Sequence, residues 1–287
     1  MAKVAFLGTG LMGAALAEAA AKRGDEVRAW NRTAAKAKAL EAFGLVAVTT
    51  PGEAVAGAER VHLMLSDDAA VDAALEAVKG ALGSAVVVDH STTSPAGTKA
   101  RAERLETRGV AFVHAPVFMS PAMCREAKGI MLAAAPTAAF ARVEGALRAM
   151  TGKLEYLGER RDLAAAHKLF GNAMIIAITA GLSDVYTLAS ALGIDAPAAH
   201  GLFSLFNPAG VLAYRGLAMA HGDYRASFEL TMARKDVRLM LEAAAGRPLA
   251  ALPAVAGRMD ALIERGLGGD DLGVLAIDAV PRGGAPR

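Results

Sequence analysis

Lys3-Val4-Ala5-Phe6-Leu7-Gly8-Thr9-Gly10-Leu11-Met12-Gly13 decides how the first half of the chain is read. An apolar run of strand length ends on G-x-G-x-x-G, and an alanine-rich segment of helical length, Leu11 to Arg23, follows directly. In that context each glycine has its own task. The first permits a tight turn, the second lets the backbone approach a pyrophosphate, and the third lets helix and strand pack closely. The free N–H groups at the start of the helix then face the phosphates. Gly8, Thr9, Gly10, Leu11, Met12 and Gly13 are therefore expected to hold a dinucleotide, the plainer alternative being a turn that serves only the fold.

Outward from this loop, short β-branched runs alternate with helical stretches. Glu26 to Asn31, Val61 to Leu65, Ala85 to Asp89 and Ala111 to Val117 read as further strands; Thr33 to Phe43, Ala69 to Lys79 and Pro95 to Arg108 read as helices. Such alternation implies right-handed crossovers and a mainly parallel sheet. Beyond Tyr156-Leu157-Gly158 no strand is read, and a long helix is expected from about Asp162 to Leu192. Ala196 to Leu205, Ser227 to Ala245 and Leu252 to Arg265 read as further helices, and Pro281 to Arg287 as a frayed tail. The boundary is placed near residue 160, with an α/β domain over 1–160 and a helical domain over 161–287.

Composition narrows the function classes. The 287 residues allow one large domain or two ordinary ones, and 54% hydrophobic residues with about a quarter alanine suit packed helices. Thirty-one basic against 29 acidic residues give a net charge of +2 with no basic stripe, so nucleic acid is not expected as a partner. Cys124 stands alone and the six histidines form no ligand-spaced cluster, so neither an intramolecular disulfide nor a metal site is expected. The start lacks a signal-peptide pattern, and no run reaches the roughly 18–20 apolar residues that span a bilayer, Ala173 to Leu182 being the most apolar. A cytoplasmic protein without membrane contact is expected.

The second strand ends on Asn31-Arg32-Thr33, where an NAD site usually carries Asp or Glu for the ribose hydroxyls. No carboxylate repels a 2′-phosphate here, and Arg32 offers a planar cationic fork, with Asn31 and Thr33 as additional donors. The expected cofactor is NADP, as NADPH, with Leu65 and Ser66 after the third strand also assigned to it. Ligands of open α/β sheets sit beyond the strand carboxyl ends. Two loops fall there: His90-Ser91-Thr92-Thr93-Ser94-Pro95 and Phe118-Met119-Ser120-Pro121. Ser94 reads as a helix cap, whereas Ser91 and Thr92 are better placed for ligand. On the long helix Lys168 and Asn172 lie four apart and share a face, and a desolvated lysine can transfer protons near neutrality. A lysine that snorkels to solvent is the alternative.

These residues together resemble the β-hydroxyacid dehydrogenase family, which includes 3-hydroxyisobutyrate dehydrogenases, tartronate semialdehyde reductases, and glyoxylate or succinic semialdehyde reductases. The likeness rests on the glycine loop, Asp89-x-Ser91-Thr92 before Ser94-Pro95, Ala115-Pro116-Val117, Lys168-x-x-x-Asn172 and Lys235-Asp236, in that order along nearly the whole chain. It implies a Rossmann-type doubly wound sheet followed by an all-helical C-terminal domain, joined by a long interdomain helix, with the site in the cleft between the domains. It also implies Lys168 as the catalytic lysine, Thr92 against the cofactor, Asn172 for substrate or lysine orientation, and Phe228, Lys235 and Asp236 from the second domain. Lys235 is assigned to cofactor, Phe228 and Asp236 to substrate. A homodimer or homotetramer is implied as well.

One departure is large. Where the family reads Ala-Pro-Val-Ser-Gly-Gly, this chain reads Ala115-Pro116-Val117-Phe118-Met119-Ser120-Pro121, and His114 stands where Asp is common. Phe118, Met119 and Ser120 thus replace the usual carboxylate site. The expected activity is NADPH-dependent interconversion of a hydroxy acid with its aldehyde or keto form. An imine reductase with a more apolar substrate and a non-catalytic NADPH-binding module are the alternatives.

Overall fold

The computed structural model describes residues 1–283; part of the tail read above as frayed, 284–287, lies outside the described residues. The chain divides into two compact units, Met1–Asn172 and Ala173–Arg287. The division falls inside the long helix Leu163–Ala191 and not near residue 160.

In the first unit, strands β1 (Lys3–Leu7), β2 (Glu26–Trp30), β3 (Val46–Ala47), β4 (Arg60–Leu63), β5 (Val86–Asp89) and β6 (Phe112–His114) form one parallel sheet in the order β3-β2-β1-β4-β5-β6. Order reverses at β1, so β1 and β4 flank the switch point where such sheets bind ligands. Helices Leu11–Lys22, Asp68–Ala77 and Pro95–Glu106 are the main expected crossovers. The stretch read as a helix over Thr33 to Phe43 is α-helical only over Ala34–Lys38 and tightens to a 3₁₀ turn over Ala39–Phe43.

Both sheet faces are covered, which explains why the strands are apolar almost throughout. Val4, Phe6, Val86, Val88 and Val113 pack on one side with Ala15, Leu16 and Ala20 of the first helix; Ala5, Leu7, Val61, Leu63 and Val87 pack on the other with Val71 and Leu75. Small alanine side chains let the first helix lie close to the sheet, and burial of this kind contributes about 25 cal/mol per Å² of apolar surface.

The segment Ala111 to Val117, expected as one strand, is two. Proline lacks an N–H for a ladder, and at Ala115-Pro116 the chain leaves the first sheet and enters a second. That sheet consists of β7 (Val117–Phe118), β8 (Ile130–Ala133) and β9 (Lys153–Tyr156), with β7 antiparallel and β9 parallel to β8. β3, β8 and β9 were not expected from the sequence pattern.

The register lines up Trp30, Leu7, Leu63, Asp89 and His114 in one row across the first sheet. The next residue of every strand therefore begins a loop at one common edge: Asn31, Gly8, Met64, His90 and Ala115.

The second unit is helical, with helices Ala196–Leu205, Leu217–Ala220, Leu230–Ala243 and Leu252–Leu262 after the end of the long helix. Its core holds Tyr224, Leu230, Val237, Met259, Leu262 and Val274. Asp271, buried, accepts from Arg215 Nε at 2.7 Å and Ser227 Oγ at 2.7 Å, and from the amides of Ser227, Phe228 and Gly273. Burial opposes its charge, yet the guanidinium and these hydrogen bonds outweigh burial and hold the carboxyl below the usual carboxylate range.

The expectation that no segment matches a membrane span in length and apolarity is corrected here. The 29-residue helix Leu163–Ala191 meets that criterion by length and composition. In the sequence the apolar run stops at Leu182, where Ser183 and Asp184 follow. The helix passes through both, since Asp184 is buried and accepts the amides of Ala251 at 3.0 Å and Leu252 at 2.9 Å, together with that of Ala250.

Candidate active site

The three glycines of the loop meet three different constraints. Gly8 has φ +99°, and a side chain there would bring a Cβ within 2.3 Å of the Met64 carbonyl. Gly13 lies so close to the strand end that its Cβ would stand 2.0 Å from the Gly8 carbonyl. Gly10 has an ordinary φ of −68°, and a Cβ there would meet nothing within 4 Å. Neither strain nor crowding in the protein accounts for that glycine, so the space above it is free for a ligand that approaches the backbone. The helix beginning at Leu11 carries no acidic residue in its first turn, and the buried Thr9 hydroxyl has no partner among the described residues. Leu11 is exposed and Met12 packs against the core. Open backbone, free helix N–H groups and the absence of negative charge fit a pyrophosphate.

Asn31 fixes this loop to the second strand. Its Oδ1 accepts from Thr9 N at 3.0 Å and its Nδ2 donates to the Thr33 carbonyl at 3.1 Å. Both ends of the amide are engaged within the protein. Thr33 occupies the N-cap position of the next helix without a side-chain cap bond. Arg32, between them, is exposed and makes no ion pair with any described residue. Leu65 donates its amide to Ser91 Oγ at 2.9 Å, and Ser66 is exposed and hydrogen bonds to Asp67.

Ser91 is fully buried and bridges two strands, because its amide also donates to Asp89 Oδ1 at 2.9 Å. Thr92 is exposed, while the Thr93 hydroxyl pairs with Thr98 at 2.8 Å. Ser94 caps its helix through Gly97 N at 3.0 Å, as the sequence reading had it.

Under these loops lies a chain of neutral imidazoles. His90 is buried, and desolvation lowers its pKa to about 4. His62 is likewise lowered by burial, with His90 adding to the effect. His90 Nδ1 lies 2.7 Å from the Ala115 carbonyl, which can only accept, so Nδ1 carries the proton and Nε2 is an acceptor. His62 Nδ1, 2.9 Å from that Nε2, must then be the donor. Beside this chain, buried Asp89 stands 3.7 Å from Arg101 Nη1 and 3.8 Å from His114 Nδ1, while Arg101 also pairs with Asp68 and Asp72 at 2.9 Å each.

The long helix delivers Lys168 to the strand end at Val117. Nζ donates to the Val117 carbonyl at 2.8 Å and lies 4.0 Å from the centroid of the Phe118 ring. The side chain is half-buried, burial lowers its pKa, and no described carboxylate pairs with it. Asn172 is half-buried one turn further along the same face. Met119 is half-buried against Cys124, whose thiol lies 3.7 Å from its sulfur. Ser120 caps the next short helix, Pro121–Arg125, accepting from Met123 N at 3.2 Å.

The structure thus brings together Lys168, Val117 and Phe118, and separately Gly8, Thr9 and Asn31 with the loop edge. Phe228, Lys235 and Asp236 belong to the second unit, where Lys235 and Asp236 pair with each other at 2.9 Å and the Phe228 amide donates to Asp271. The sequence reading missed Gly171. A Cβ there would stand 2.3 Å from Phe118 Cζ, so the absence of a side chain makes the notch that holds the ring. A glycine inside an otherwise alanine-rich and leucine-rich helix, three residues after Lys168, was the available signal.

Residues 3–158 match the family described as the NAD binding domain of 6-phosphogluconate dehydrogenase. The chain is 29% identical to glyoxylate/succinic semialdehyde reductase 2, chloroplastic, of Arabidopsis thaliana, over 83% of this chain and 68% of that one. It is 25% identical to the mitochondrial 3-hydroxyisobutyrate dehydrogenase of Drosophila melanogaster, over 95% and 87%. Among solved structures, a reductive aminase from Aspergillus terreus in complex with NADPH and ethyl levulinate superposes with a TM-score of 0.89 at 26% identity, covering 97% of this chain and 99% of that one.

The second and third glycines separate binding from folding. Gly10→Ala should leave the thermal midpoint unchanged and weaken dinucleotide binding at least tenfold, whereas Gly13→Ala should lower urea stability by about 1–3 kcal/mol through overpacking. Fluorescence titration and urea unfolding of both variants check this; a Gly10→Ala protein with full affinity would show that the open space is not the phosphate site.

Proposed function

Because the chain belongs to the β-hydroxyacid dehydrogenase family, we propose that it is an NADPH-dependent reductase interconverting a hydroxyl compound, a hydroxy acid in the family's usual case, with its aldehyde or keto form. The observation that carries this reading is Lys168: a half-buried ammonium, held by one carbonyl, with no described carboxylate paired to it. The nicotinamide supplies hydride chemistry when bound. Lys168 Nζ gives a proton to the carbonyl oxygen as it gains charge, and takes the hydroxyl proton in the opposite direction. The Val117 carbonyl aims Nζ through its 2.8 Å hydrogen bond, and Asn172 offers a second polar contact on the same helix face.

Lys168→Ala should lower carbonyl reduction at least a hundredfold while NADPH affinity stays within twofold; turnover surviving within a few-fold would remove Lys168 from this role. Reduction needs the ammonium, so kcat/KM for reduction should fall as pH rises through the Lys168 pKa, which burial sets below its ordinary 10.5. Oxidation of the alcohol should rise over the same interval.

NADPH preference rests on Arg32, exposed and without an ion pair among the described residues, in place of the usual acidic residue. Asn31 enters this reading as the brace between the loop and the second strand. NADPH should bind at least tenfold tighter than NADH, and Arg32→Ala should erase most of the difference. Equal affinities in the unaltered protein would defeat the assignment.

A second reading, reduction of imines, is favoured by the apolar Phe118-Met119 segment and by the likeness to the Aspergillus reductive aminase. The ammonium of Lys168 argues for a carbonyl oxygen. A cyclic imine assayed beside an aldehyde separates the two.

The oligomer belongs to the same reading. Phe170 and Ile176 are each 67% exposed on the long helix, next to exposed Met174, Ile175 and Ile178, an apolar surface of the kind that contacts a partner. Two copies that bury it would form a homodimer, and light scattering should return twice the chain mass, or four times for a tetramer.

A further inference from the structure

The donors of Lys168 are nearly all spoken for. An ammonium has three N–H groups. One points to the Val117 carbonyl at 2.8 Å, and the face of Phe118 lies 4.0 Å away, a distance at which a ring attracts a cation. With one N–H bonded and one side of the ammonium covered by the ring, a single open side is left. It can serve a single carbonyl oxygen, but not both oxygens of a carboxylate in addition to that carbonyl. The segment it contacts, Pro116–Pro121, carries no lysine or arginine, nor do the two strand-end loops of the same unit, Gly8–Gly13 and His90–Pro95, and His90 is held neutral by burial.

The ring is fixed in this position. Phe118 packs with Leu132, Ala134, Ala164 and Leu157 at its base, and its tip fills the notch at Gly171. Gly171 stands three residues after Lys168, so one helix turn presents both the cation and the seat of the ring that covers it. A ring of this size also displaces water from the ammonium, in keeping with the lowered pKa of Lys168.

We propose that Phe118, seated in the Gly171 notch, is the specificity-determining residue of the Lys168 site, and that it selects uncharged aldehydes and ketones over carbonyl compounds bearing a carboxylate. The proposal rests on the reductase reading above and narrows its substrate class. A charged carboxylate that entered would lose hydration beside an aromatic ring and gain no cation from the loops of this unit. An ester at the same place loses far less hydration than a carboxylate, and an alkyl group gains from leaving water.

The test uses a matched pair, succinic semialdehyde and its methyl ester, which share a carbon chain and differ in one charge. The unaltered protein should reduce the ester with at least tenfold higher kcat/KM. Phe118→Ser should shrink that ratio tenfold or more. Gly171→Ala, which must push the ring tip aside without meeting backbone, should shift it the same way. Phe118→Ser/Gly171→Ala should shift it no further than Phe118→Ser alone, because the notch acts only through the ring. An acid reduced as well as the ester by the unaltered protein, or a ratio that moves less than twofold in Phe118→Ser, would overturn the proposal. If neither aldehyde is reduced by any variant, the reductase reading has failed. The specificity proposal is then decided by calorimetry of acid and ester on NADP⁺-loaded protein, where the same tenfold preference is expected and equal affinities would overturn it.

Discussion

The first unit depends on how closely the helix Leu11–Lys22 approaches the ends of β1 and β4. Three backbone segments meet there with no room for a single extra carbon: Gly13 against the Gly8 carbonyl, and Gly8 against the Met64 carbonyl. This contact sets the helix axis, brings its free N–H groups to the switch point of the sheet, and leaves Gly10 facing open space. The alanines at 15, 17, 19 and 20 continue the same close approach along the helix. A larger side chain at any of these positions would tilt the helix and misdirect the amides meant for the phosphates. Position of the ligand is therefore a consequence of packing density more than of any polar contact.

Such constraints are local, which is why this part was legible in the sequence. The glycine spacing and the short apolar runs at β1, β2, β4 and β5 located those strands to within a residue or two. β3 and β7 are two residues long, and β9, Lys153-Leu154-Glu155-Tyr156, lies at a sheet edge with none of its residues fully buried and alternating charged side chains. Elements so short or so mixed in polarity leave a weak hydrophobic pattern. The break at Pro116 had a visible cause, but only the existence of a second sheet gives it meaning.

The site was legible at the level of residue type and less so at the level of use. Lys168 and Phe118 were singled out along the chain 50 residues apart, and the fold puts them in contact. Ser91 and Ser120 also stood out for their hydroxyls, yet one takes the Leu65 amide and the other caps a helix. A hydroxyl looks the same in sequence whether it is free or already bonded, because the backbone amide that engages it can come from any strand. Gly171 is the converse case, an apparently idle residue whose lack of a side chain shapes its neighbour.

The imidazole chain has a mechanical consequence. His62, His90 and the Ala115 carbonyl link β4, β5 and the segment after β6 through side chains, one residue row at a time, while Ser91 ties the next row to Leu65. Backbone ladders alone would let the strand-end loops flex like separate teeth. Cross-pinned in this way they form a rigid comb, with the tooth that carries Phe118 braced through the same bar as the tooth beside the glycine loop. The spacing of the strand ends that carry these loops is then set by buried side chains as well as by the backbone ladder.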